Sequence, residues 1–227
     1  MSIERINKLR HRFAQQRIKW AMADTEVETR VATKTAAATY KRLVMFDFDG
    51  TLFRSWEEEP SWWGGSPLDT GPYSFFTRPE SLDEPCVPDS PSGSHWISKV
   101  VGAAQKATSD RNDFVVVITG RVRVHRKRIL SLLRSKGIVP NASYFNPAMD
   151  AAKFKVAVLK NLLAGLPTID EVEVWENENM KTYEAALNSA ARVLGRDIKV
   201  VVHGIHVPPA PLECEPEDFG LDSSARG

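Results

Sequence analysis

The sequence predicts an α/β domain whose five parallel strands carry helices on both faces, and three observations point to it. Short apolar runs, LVMF at 43–46 and FVVVI at 114–118 among them, alternate with longer amphipathic stretches. Two of the runs, FVVVI and IKVVV at 198–202, are β-branched and nearly continuous, as in strands buried on both faces. Gly137, Gly165 and Gly195 stand where three of the helical stretches should stop.

In chain order, residues 1–40 read as a basic helical arm, with six Lys or Arg against Glu4 in the first twenty positions and Ile3, Ile6, Leu9 and Phe13 on one face. A domain over 41–207 follows. Its first strand, 43–46, leads into an insert at 56–96 with seven prolines, four of the six tryptophans, and eight acids against Arg78. The aromatics Trp56, Trp62, Trp63, Tyr73, Phe75, Phe76 and Trp96 make it a packed irregular segment, a lid over a site, rather than a linker. Helices at 97–108, 124–136, 151–163 and 179–194 then alternate with strands at 114–118, 143–145, 171–175 and 198–202. Residues 208–227 read as an acidic tail.

The net charge of +1 hides segregated blocks: residues 121–136 hold seven cations and no acid, and residues 213–222 hold five acids and no cation. Cys86 and Cys214 form no Cys-x-x-Cys pair, which excludes a zinc knuckle and a disulfide framework and suits a reducing compartment. No apolar run approaches membrane-spanning length and no secretory signal is evident; the expected location is the cytoplasm, with mitochondrial import of a basic leader as the alternative.

Ligands of an open parallel sheet sit beyond the carboxyl ends of its strands, so the polar residues there belong together. After the first strand come Asp47 and Asp49, followed by a Gly50-Thr51 turn that can aim both carboxylates at one point. After the second come Thr119, Gly120 and Arg121; a helix start offers Lys153 and Lys155; after the fourth strand come Glu176 and Asn177. This set suits phosphoryl transfer. A carboxylate attacks phosphorus only when the repulsion between two anions is relieved by Mg²⁺ and fixed donors. Asp47 is the candidate nucleophile and Asp49 the acid and base for the leaving group and water, with its main-chain carbonyl toward the metal. Thr119 and a lysine would hold the transferring oxygens, and Glu176 with Asn177 would complete the metal shell with Asp47 and Asp49.

MFDFDGT, VITGR, the lysine of AAKFK and the acidic end of VEVWENE resemble, in order, the four motifs of the haloacid dehalogenase (HAD) phosphatase superfamily over about residues 42–203. The Trp-Trp and Pro-rich insert, ITGR and the Phe154-Lys155 pair are most similar to the branch described as Swiss Army Knife RNA-repair-like, itself similar to polynucleotide phosphatases. The resemblance implies a Rossmann-like core with strand order 5-4-1-2-3, a phosphoaspartate, and Mg²⁺ as cofactor. It favours Lys155 over Lys153, because the branch places its lysine directly after a Phe. One residue departs from it: where branch members carry Glu-Asp, this chain has Glu176-Asn177, an amide without charge, with Glu178 next in line.

The function expected is hydrolysis of a phosphomonoester, on the terminal phosphate of RNA or another nucleic acid. The alternatives are a small-molecule phosphatase and a weakened HAD domain that binds RNA or a large assembly through residues 1–20. Gly120 and Arg121 are the expected substrate contacts at the head of the basic run, which could track a nucleic-acid backbone or simply be a solvated face. His203 and His206 lack a third ligand and are read as non-ligands.

Overall fold

The computed structural model describes residues 22, 40–55, 79–84 and 87–207. The acidic tail, most of the basic arm and the Trp-Trp half of the insert lie outside the described residues. Five parallel strands, β1 (Arg42–Phe46), β2 (Asp113–Thr119), β3 (Ala142–Phe145), β4 (Glu171–Glu176) and β5 (Lys199–Gly204), form one sheet in the order β3-β2-β1-β4-β5. That is the expected order read from the other edge. Four helices, α1 (Ser98–Ser109), α2 (Arg126–Ser135), α3 (Ala151–Gly165) and α4 (Met180–Val193), supply the crossovers.

Side chains alternate across each strand, so the sheet builds two cores. Val44, Phe46, Val115 and Val117 pack with α1 and α2 through Val100, Ala104, Ile129 and Leu133. Leu43, Met45, Phe114, Val116, Ile118, Val172 and Val174 face α3 and α4 through Phe154, Leu159, Leu162 and Leu187. This explains the continuous LVMF and FVVVI runs, since both strands are covered on both faces. The alternation of β4 has another cause: Glu173 stands on the opposite face from Val172 and Val174 and accepts from Arg42 Nη1 at 2.9 Å and Trp175 Nε1 at 2.9 Å. Of the arm, Met22 is helical, and Met22 and Tyr40 pack against the α3/α4 core.

The last strand differs slightly from its expected bounds. It starts at Lys199 rather than at 198 and runs on through His203 to Gly204, with Ile198 buried in the α3/α4 core just before it. The stretch expected as a helix from 124 opens as a 3-10 turn, Arg123–His125, before α2. Gly137 and Gly195 follow α2 and α4 with φ of +70° and +63°, the left-handed stop that a Cβ disfavours.

The described part of the insert is packed rather than loose. Leu82, Val87 and Trp96 join the α1/α2 core, and Phe53 meets Trp96 edge to face at 5.0 Å. Arg128 on α2 fastens it, donating to the carbonyls of Leu82 at 2.9 Å and Pro88 at 2.8 Å, with Asp83 and Asp89 at 3.4 and 3.5 Å. Among the described residues no helix is long and apolar enough to cross a membrane.

Candidate active site

The carboxyl ends of β1, β2 and β4 and the first turn of α3 bring the polar residues to one place. The Asp47 amide donates to the Trp175 carbonyl at 3.0 Å, so β1 stays in register with β4 one residue beyond its end. The chain then curls tightly: the amides of Leu52 and Phe53 both donate to the Phe48 carbonyl, at 3.0 and 2.9 Å, and Gly50 takes φ of +67°. Asn177 lies over this glycine, and a Cβ there would stand 2.4 Å from its amide nitrogen. Both conformation and space therefore require Gly50.

Lys155 is the hub. Its Nζ lies 2.8 Å from Asp47 Oδ1 and 2.7 Å from Glu176 Oε2, and all three residues are almost withdrawn from solvent. Lys153, the other candidate lysine, is exposed, and its amide donates to the helix cap Asp150. The Glu176 carboxylate also accepts from the Asn177 amide at 3.2 Å. Burial holds the Asp47 carboxyl well above the ordinary range, and Glu176 pushes it the same way against the pull of Lys155. Burial lowers the Lys155 ammonium, but Asp47 and Glu176 more than reverse this and hold it high. The Tyr183 hydroxyl, from α4, is raised by burial beside the same groups.

Asp49 is held by a second set of donors. Arg121 Nε reaches Oδ1 at 2.8 Å, Thr119 Oγ1 reaches Oδ2 at 3.3 Å, and Ser55 Oγ donates to Oδ1. Thr119 Oγ1 in turn accepts from the Arg121 amide at 3.1 Å, which ties the end of β2 to the same knot. Arg121 is fully buried, and its Nη1 donates to Ser81 Oγ at 2.5 Å. The side chain turns inward, where Asp49 and Ser81 supply partners that offset its desolvation. Gly120 sits at the turn, where an added Cβ would only touch Ala151 at an ordinary 3.5 Å.

Sequence reasoning missed Ser55, Ser81 and Tyr183. Ser81 comes from the 3-10 turn Pro79–Leu82, forty positions from Arg121, and no local spacing announces the contact. Glu178 is exposed. His203 stacks on Trp175 at 4.0 Å and bonds Glu173 at 3.0 Å, away from the Asp47 cluster.

Among the described residues, no three His, Cys, Asp or Glu side chains already stand as a metal cage. The donor set nevertheless fits a hard cation. It offers carboxylate and amide oxygens without soft ligands, and Asp47 Oδ1 is buried with no aligned hydrogen-bond donor despite the nearby ammonium.

Residues 54–217 match the family described as HAD domain family 1 in Swiss Army Knife RNA repair proteins. Asp47 and Asp49 precede the matched range. A chain from a solved structure of a Pnkp1/Rnl/Hen1 complex aligns at 15% identity and a TM-score of 0.38, over 74% of this chain and 48% of that one. No curated protein matches.

Proposed function

Because this chain belongs to HAD domain family 1 of the Swiss Army Knife RNA repair proteins, we propose that it hydrolyses phosphomonoesters through an aspartyl intermediate on Asp47, with a terminal phosphate of RNA as substrate. The observation that carries this reading is the pair of buried carboxylates, Asp47 and Glu176, on one ammonium, with Asp49 held two residues away by a separate cation. A structural ion pair needs only one acid per base; this arrangement keeps more acid than a stable core wants.

Each residue then has a role in that reaction. Asp47 attacks phosphorus, the bond to the leaving oxygen breaks, and Asp49 gives that oxygen a proton. Asp49 then takes a proton from water, which attacks the aspartyl phosphate and releases inorganic phosphate. Lys155 and the Thr119 hydroxyl offset charge on the transferring oxygens. Arg121, Ser55 and Ser81 position Asp49. Asp47, Glu176, the Asn177 amide oxygen and the Asp49 carbonyl would hold Mg²⁺, which when bound would neutralise charge on the phosphoryl group.

Asn177 favours a second reading, a weakened domain that binds RNA or an assembly, since a neutral amide stands against the Gly50 turn where the resemblance implies an acid. Phosphate release from p-nitrophenyl phosphate, phosphometabolites, and oligoribonucleotides phosphorylated at either end, with Mg²⁺, separates the readings. Release from an oligonucleotide, absent in Asp47→Asn, supports the first; release from no ester by a folded protein supports the second.

A further inference from the structure

Resting on the RNA-phosphatase reading, we propose that the groove between α2 and the start of β3 binds backbone phosphates of the single-stranded RNA whose phosphorylated end enters the Asp47 site. The groove, of about 170 Å³, is walled by Arg126 and Arg134 and lined by Leu130, Val139, Pro140 and Ser143. Both arginines are exposed, and neither is ion-paired among the described residues. Val139 is 65% exposed, an apolar surface on which a base or ribose can rest.

Position and charge both favour this occupant. Between Asp113 and Asp150 the chain has no acidic residue and seven Lys or Arg, so the local field is of one sign. Because β2 and β3 are parallel, α2 runs back from the carboxyl edge of the sheet, with Arg126 at the site end and Arg134 toward the opposite edge. Eight residues of helix separate them by about 12 Å. That exceeds the ~3.4 Å per nucleotide of a stacked strand, so the two cations address different phosphates of one chain rather than a single free phosphate.

Two described acids of the insert, Asp83 and Asp89, are held by Arg128. At about 100° per residue, Arg126, Leu130 and Arg134 share a stripe roughly 80° wide, and Arg128 points at least about 120° away from it. Arg128 thus holds these two acids on the side of α2 away from the Arg126–Arg134 stripe. The outer edge of β3, the last strand of the sheet, borders the stripe.

The test uses the full chain, a labelled eight-nucleotide RNA phosphorylated at either end, and p-nitrophenyl phosphate. Arg126→Gln/Arg134→Gln is expected to bind the RNA about tenfold or more weakly, with the slope of log affinity against log salt shallower by about 1.4, the value for two single-strand phosphates. Its p-nitrophenyl phosphate turnover and melting temperature should match wild type, and Arg126→Lys/Arg134→Lys should retain most of the binding. Unchanged affinity and slope in the Gln pair, an equal loss in the Lys pair, or competition by polyglutamate as effective as by RNA would overturn the proposal. Binding needs no turnover, so its failure with hydrolysis intact removes only this groove; lost hydrolysis with binding intact removes the phosphatase reading instead.

Discussion

Lys155 Nζ lies 2.8 Å from Asp47 Oδ1, with both side chains about one-twentieth exposed, so each ion is the other's main compensation for leaving water. Glu176 shares the same ammonium at 2.7 Å. Lys155→Met therefore strands two buried carboxylates and should destabilise the metal-free protein by about 3–5 kcal/mol. Urea unfolding with a chelator present measures it; a loss below about 1 kcal/mol would mean that solvent already screens the cluster.

Asp47→Asn should do the reverse. The folded state holds the Asp47 carboxyl above its unfolded value of about 3.9, so the folded state binds the extra proton. The stability associated with that proton is complete below the unfolded value and drains away as pH rises through the folded one. In chelator, Asp47→Asn should thus melt higher than wild type at pH 8, and its advantage should shrink toward pH 4. An advantage that grows on acidification would contradict the sign.

Arg121 and Ser81 should act through Asp49. Ser81→Ala removes a hydrogen bond to a buried guanidinium, a loss of about 1.5–3 kcal/mol in stability. Because Arg121 also holds the proton-transferring carboxylate, Arg121→Gln should slow alkyl phosphate hydrolysis more than p-nitrophenyl phosphate hydrolysis, whose leaving group needs little help. Equal losses on both esters would show that Arg121 only supports the fold.

Asn177→Asp adds a charge beside the donor set and should tighten Mg²⁺ by roughly ten- to hundredfold, about 1–3 kcal/mol. Rate against Mg²⁺ concentration reads this directly. Glu178→Gln should leave the curve unchanged, since Glu178 is exposed. A shift with Glu178→Gln and none with Asn177→Asp would transfer the charge to Glu178.

The sheet was legible because its central strands are buried on both faces and read as continuous β-branched or apolar runs. The polar residues that end those runs were legible for the same reason: Asp47, Thr119 and Glu176 interrupt apolar patterns that would otherwise continue. The inward turn of Arg121 was not legible, because a run such as RVRVHRKR carries no mark of which cations face the interior. Arg121 is buried on Asp49 and Ser81, and Arg128 is fastened to the insert, while Arg126 stays exposed. Those partners are tertiary. Ser81 reaches the site from a 3-10 turn and Tyr183 from the helix that follows Glu176, by contacts no sequence period encodes.

The central claim is that Asp47 carries the phosphoryl group. Single-turnover reaction with a phosphorylated oligoribonucleotide and Mg²⁺, quenched in acid and followed by peptide mass spectrometry, tests it most directly. The account predicts one phosphoryl group on the peptide containing Asp47, removable by hydroxylamine and absent from Asp47→Asn. Hydrolysis by Asp47→Asn at the wild-type rate, with no labelled peptide in either protein, would contradict it.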